Sequence, residues 1–125
     1  MLIDTDVLIW YLRGNENAYK TIETAGNFQI SVITYMELVQ GMRNKQELAQ
    51  LHRAFKLWGT KILYVSEDIS TKAMFYVEQY YLSHSIQLAD SLIGATAAAY
   101  NIPLLTGNDK HYKMMKDIEI QVFRP

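Results

Sequence analysis

The sequence contains no cysteine. That excludes disulfides and thiolate-bound metals, and it fits a cytoplasmic protein. Proline is scarce, with two in 125 residues, and no low-complexity stretch occurs. No linker is therefore expected, and residues 1–125 read as one domain large enough for a real core. Neither sign of charge is in excess: 12 Lys and Arg face 13 Asp and Glu, a formal net charge of −1. No global basic field draws nucleic acid, so such binding would need a local patch. No apolar run approaches the roughly 18 residues of a membrane span. Asp4 and Asp6 interrupt the N-terminal apolar run and no basic segment precedes it, which argues against a signal peptide. What the chain does have is apolar residues, half of the total, so disorder is not expected.

The first twelve residues, MLIDTDVLIWYL, set the pattern. An apolar run at 1–3 ends on Asp4-Thr5-Asp6, and a second run follows at 7–12. This reads as a buried strand, a turn with two carboxylates, and a helix capped by Asp6 or Thr5. Asp4 itself is a third candidate for that cap. Further along, apolar spacing predicts a helix at 16–25, a strand at 28–32 and a helix starting near Thr34. Thr34 and Glu37 form a T-x-x-E capping box there. Met36, Val39 and Met42 would lie on one side of that helix, with Leu38 adjoining. Asn44 caps a helix at 45–57, which Gly59 stops. A strand at 61–65 precedes a helix that Ser66 caps and that runs to about Ser83, with Phe75, Tyr76, Tyr80 and Tyr81 read as mostly core. Then come a helix at 88–100 ended by Asn101, a strand at 102–106, a brief helix at 110–116 and a strand at 118–123. The alternation predicts an α/β fold: a mostly parallel central sheet of about five short strands, with helices on both faces.

Four positions share one topological location, the end of a strand or the start of a helix beside it. They are Asp4, Glu37, Asp90 and the pair Asn108-Asp109. In open parallel sheets, ligands bind beyond the carboxyl ends of strands. Asp90 stands among Leu88, Ala89, Ser91, Leu92 and Ile93, so a carboxylate is expected at a buried turn, where it is costly unless paired or metal-bound. Three or four oxygen donors at a sheet mouth suit a hard cation such as Mg2+, with Mn2+ as a substitute. A metal of that kind lowers the pKa of bound water and stabilises charge on a phosphoryl oxygen, so metal-assisted phosphodiester hydrolysis is the reaction class that fits.

The same stretches resemble the PIN-domain ribonucleases, and most closely the VapC toxins of toxin–antitoxin pairs. Ile3-Asp4-Thr5-Asp6-Val7-Leu8-Ile9 is similar to that family's first motif, and Ile33-Thr34-Tyr35-Met36-Glu37-Leu38 to the second. Leu88-Ala89-Asp90-Ser91-Leu92-Ile93-Gly94-Ala95 is similar to the third, and Leu105-Thr106-Gly107-Asn108-Asp109-Lys110-His111-Tyr112 to the fourth. No single motif is specific; the four together, in order over almost the whole chain, are. The resemblance implies a PIN-like fold and a Mg2+-dependent endoribonuclease leaving 5′-phosphate and 3′-hydroxyl ends. It implies catalytic roles for Asp4, Glu37, Asp90 and Asn108, with Asp4, Asp90 and Glu37 as the metal ligands. Asp6, Thr106 and Asp109 are supporting candidates. The resemblance also implies an RNA substrate, a small VapB-like antitoxin as partner and a homodimer. The family often carries an acid where this chain has Asn108, which leaves open whether Asn108 or Asp109 completes the site.

Plainer readings stand beside these. Glu37 is fully explained by a capping box, and Asp109 by a helix cap. His111 reads as an exposed helix histidine. Lys110, Lys113 and Lys116, with Arg43 and Lys45, would form a basic rim for RNA or simply a solvated face. Two other functions remain open. One is a non-catalytic PIN fold that binds RNA or protein, which Asn108 favours. The other is a phosphoryl-accepting domain, since Asp4-Thr5-Asp6 resembles the start of haloacid-dehalogenase-type phosphatases. A receiver of that kind would need an aspartate ending its third strand, and KILYVS has none.

Overall fold

The computed structural model describes all residues, 1–125. Five short strands form one sheet: β1 (Leu2–Ile3), β2 (Gln29–Ser31), β3 (Lys61–Leu63), β4 (Leu104–Thr106) and β5 (Ile120–Val122). Six α-helices connect them: α1 (Thr5–Leu12), α2 (Glu16–Ala25), α3 (Val32–Gln40), α4 (Lys45–Trp58), α5 (Glu67–His84) and α6 (Leu88–Tyr100). Every strand pair is parallel, in the order β3-β2-β1-β4-β5. The chain runs outward from β1 to β3, then crosses back to place β4 on the other side of β1. The reversal puts the switch point of the sheet between β1 and β4, where a crevice opens at the strand ends.

Strand alternation divides the core. Leu2 and Leu104 point to one face and pack with Ile69, Ala73, Tyr76 and Ile93 from α5 and α6. Ile3 and Leu105 point to the other and pack with Val7, Leu8, Ile22, Leu38 and Leu51. Both faces of β1 and β4 are thus covered, which is why these strands read as continuous apolar runs rather than alternating ones. The small residues of α6 (Gly94, Ala95, Thr96, Ala97) are all buried against this layer.

Several expected boundaries move. α1 begins at Thr5, and its cap is Asp4, whose Oδ1 accepts the Thr5 N–H at 2.8 Å. α3 begins at Val32, capped by Ser31, whose hydroxyl accepts the Ile33 N–H at 3.0 Å. The expected T-x-x-E box is therefore absent. Ser31 takes the helix's free amide, so Thr34 and Glu37 lie within the helix instead of at its start. Val32 disguises this, because a β-branched residue after Ile30 and Ser31 looks like strand. Leu38 and Thr34 are the inward residues of α3, and Met36 is exposed. The helix expected at 110–116 is a single 3₁₀ turn, Asp109–His111, followed by turns. Its amides bond only three residues back, Tyr112 to Asp109 and Met115 to Tyr112. β2, β3 and β5 are each shorter than expected, and Phe28 lies buried just before β2, its carbonyl accepting the Lys61 amide at 3.2 Å. On α5, Tyr76 of the aromatic stripe is core and half-buried Tyr80 packs against the same cluster; Phe75 and Tyr81 are exposed, because one helix face suffices to cover α6.

Candidate active site

Asp4 follows β1 directly, and its amide bonds the Leu105 carbonyl at 2.9 Å. The pairing Leu2↔Leu104 and Ile3↔Leu105 carries on past the strand ends and brings Asp4 beside Thr106. The Thr106 hydroxyl donates to Asp4 Oδ2 at 2.8 Å, and the Tyr112 hydroxyl donates to the same oxygen at 3.0 Å. Asp4 is only 4% exposed. Burial, reinforced by the charge of Asp6, pushes its pKa up to about 7 despite these hydrogen bonds. Tyr112 reaches further: its hydroxyl also lies 3.3 Å from Asp90 Oδ1. Burial, then the neighbouring carboxylates, hold the phenol well above its usual range, so it remains a donor.

Asp6, one helical residue beyond Thr5, turns its Oδ2 to the Gly107 amide at 2.9 Å. Gly107 permits that approach, since a Cβ there would lie 2.6 Å from the same oxygen. Asp6 Oδ1 is buried with no hydrogen-bond partner. Its pKa is raised, chiefly by burial. The fourth loop separates its two candidate residues. Asn108 lines the pocket, held by its amide on the Thr106 hydroxyl at 2.9 Å. Asp109 instead pairs with Arg124 at 2.9 Å, which holds its carboxyl below the ordinary range. Arg124 also donates to the Gly107 carbonyl at 3.1 Å, so the chain's C-terminal end ties the loop down.

Glu37 arrives from α3. Its Oε1 accepts the Thr5 hydroxyl at 2.7 Å, and the Thr5 oxygen meets the Thr34 hydroxyl at 2.9 Å. Asp90 arrives from the first turn of α6, half-buried, with its pKa raised by burial against the opposing pull of His111. His111 Nδ1 lies 3.1 Å from Asp90 Oδ2. His111 is exposed, as expected of it, yet it faces the acids and not bulk solvent alone. Asp4, Asp6, Glu37, Asp90, Asn108 and His111 all border one depression of about 520 Å³. Lys110, Lys113 and Lys116 are exposed and interleave with buried Tyr112, Met114 and Met115, the pattern of a solvated face. Arg43 is held by Glu47 at 2.7 Å.

The donor set is one a hard cation prefers: carboxylates and an amide, with no sulfur. Asp6 Oδ1, buried and unpartnered, is an atom that a cation or its water would satisfy. No three acids or imidazoles converge on one point. The arrangement therefore fits an ion held partly through retained waters, as Mg2+ commonly is. Sequence reasoning assigned no role to Tyr112. The available signal was a tyrosine closing the fourth motif, just before the apolar pair Met114-Met115.

Residues 1–117 match the PIN domain family. Ribonuclease VapC10 of Mycobacterium tuberculosis is 34% identical over 125 residues, covering 95% of this chain and 90% of that protein. Ribonuclease VapC1 of Methanocaldococcus jannaschii is 29% identical over 124 residues, covering 98% of this chain and 86% of that protein. A toxin–antitoxin complex from Klebsiella pneumoniae contains a chain of the same fold, with TM-score 0.75, 26% identity and coverage of 94% of this chain and 93% of that one. VapBC-1 from nontypeable Haemophilus influenzae aligns with TM-score 0.79 at 21% identity, over 97% of this chain and 96% of that one.

Proposed function

This chain belongs to the PIN-domain family, and from that membership we propose that it is an endoribonuclease, the toxin of a toxin–antitoxin pair. The observation that carries the reading is the convergence of Asp4, Asp6, Glu37, Asp90 and Asn108 on one depression at the switch point of the sheet. Relatives named as VapC ribonucleases support the activity. Solved relatives in toxin–antitoxin complexes support a VapB-like antitoxin as partner. The proposal extends to a single PIN domain over 1–125, a homodimer, and action on RNA in the cytoplasm. No helix is long and apolar enough to cross a membrane.

Asp4, Glu37 and Asp90 would hold Mg2+, with Mn2+ as a substitute, and Asp6 and Asn108 would complete the pocket. An ion held there would supply a water of lowered pKa and charge stabilisation at the phosphoryl oxygen. The protein's own groups prepare that site. Thr106 and Tyr112 orient Asp4. Thr5 orients Glu37. Arg124 draws Asp109 away, leaving Asn108 at the pocket edge. In this reading the nucleophile would be water rather than the ribose 2′-hydroxyl, and the 3′-oxygen would be the leaving group. The products are therefore expected to carry 5′-phosphate and 3′-hydroxyl ends.

Incubating purified protein with an RNA panel, with Mg2+ or with EDTA, and mapping the product ends tests this. Cleavage with Mg2+, its loss in EDTA, and 5′-phosphate ends are expected. Products ending in 2′,3′-cyclic phosphate would overturn the mechanism.

A further inference from the structure

We infer that Tyr112 is a positioning residue whose hydroxyl sets the separation of Asp4 and Asp90, and through it the affinity of the pocket for a divalent cation. The inference rests on the proposed metal site and deepens it. Three parts of the chain meet at this hydroxyl. Asp4 comes from the end of β1, Asp90 from the start of α6, and Tyr112 from the turns after β4. The hydroxyl lies 3.0 Å from Asp4 Oδ2 and 3.3 Å from Asp90 Oδ1. Of the groups bonded to either acid, it is the one they share. Asp4 otherwise bonds Thr5 and Thr106, and Asp90 otherwise bonds His111.

Packing does not require that hydroxyl. The ring is fully buried beside Gly94 and Met115, contacts that a phenyl ring makes equally well. A buried phenol needs one acceptor to be satisfied, and this one is aimed between two. It has a single proton to give. It therefore cannot saturate both carboxylates, and it holds them close while leaving acceptor capacity on the pocket side. Without it, the Asp90 carboxylate is restrained by exposed His111 alone. Outer partners of this kind orient ligands, and their loss typically weakens metal binding about 10- to 100-fold.

The test is calorimetric titration of Mn2+ into the full-length wild-type chain, Tyr112→Phe and Asp90→Asn, with circular dichroism and thermal melting of each metal-free protein. Tyr112→Phe should weaken Mn2+ binding at least about 10-fold while keeping the wild-type spectrum and a cooperative melt. Asp90→Asn should abolish it. If Tyr112→Phe binds Mn2+ as wild type does while Asp90→Asn does not bind, the hydroxyl is a satisfied buried phenol and the inference is wrong. If wild type and Asp90→Asn behave alike, the metal-site reading itself fails, and the positioning role falls with it.

Discussion

At the scale of single residues, the polar groups that stood out in the sequence were those set in apolar surroundings. Asp4 ends an apolar strand and Asp90 interrupts an apolar helix, and both face the pocket. Asn108 and Asp109 were indistinguishable as neighbours in a turn. What separates them is Arg124, fifteen residues away, and no local pattern announces that pairing. Tyr112 was hidden for the same reason: its partners lie 108 and 22 residues distant. A second long-range carboxylate shows how such contacts set pH dependence. Burial pushes the pKa of Asp117 up, but the Lys72 ammonium and the Tyr76 hydroxyl, at 2.7 Å from Oδ1, outweigh it and hold the group below its ordinary value. The folded state thus binds fewer protons here than the unfolded chain. Its contribution is present above the unfolded pKa near 3.8 and is lost as pH falls through the lower folded value. Denaturant titrations at pH 2 to 5 on wild type and Asp117→Asn should show this acid-limb loss diminished in the variant. Parallel curves would mean that Asp117 contributes nothing to acid stability.

At the scale of elements, caps were legible where a side chain meets an amide a few residues on. Asn44 caps α4 through the Glu47 amide at 2.9 Å, and Ser66 caps α5 through that of Ile69 at 3.2 Å. Gly59 and Asn101 end α4 and α6 in the left-handed region, as expected of them. α3 was misread because two signals competed. Val32 reads as the end of a strand and Thr34 with Glu37 as a later helix start, while Ser31 does the capping. The misreading matters for function. Displaced from the helix start, Glu37 has no capping role and its carboxylate meets Thr5 at the pocket. Ser31→Ala should cost about 1 kcal/mol of stability, the usual worth of a lost N-cap. Chemical denaturation measures this, and an unchanged midpoint would mean that the α3 terminus is satisfied some other way.

At the scale of the molecule, the parallel sheet was legible from the alternation of strands and helices, but its strand order was not. The order β3-β2-β1-β4-β5 is what makes distant motifs neighbours. It sets the ends of β1 and β4 side by side, and α3 and α6 bring Glu37 and Asp90 to the same edge. The fold therefore converts four weak motifs into one acidic depression. That convergence is tested most directly by comparing RNA cleavage rates in Mg2+ for Asp4→Asn, Glu37→Gln, Asp90→Asn and Asp109→Asn, each checked for native fold. The first three should each lose cleavage by roughly 100-fold or more, the scale on which groups acting in the chemical step contribute. Asp109→Asn, which removes an acid turned toward Arg124, should retain most of it. Full activity in the first three variants, or loss in Asp109→Asn alone, would contradict the assignment of this pocket as the cleavage site.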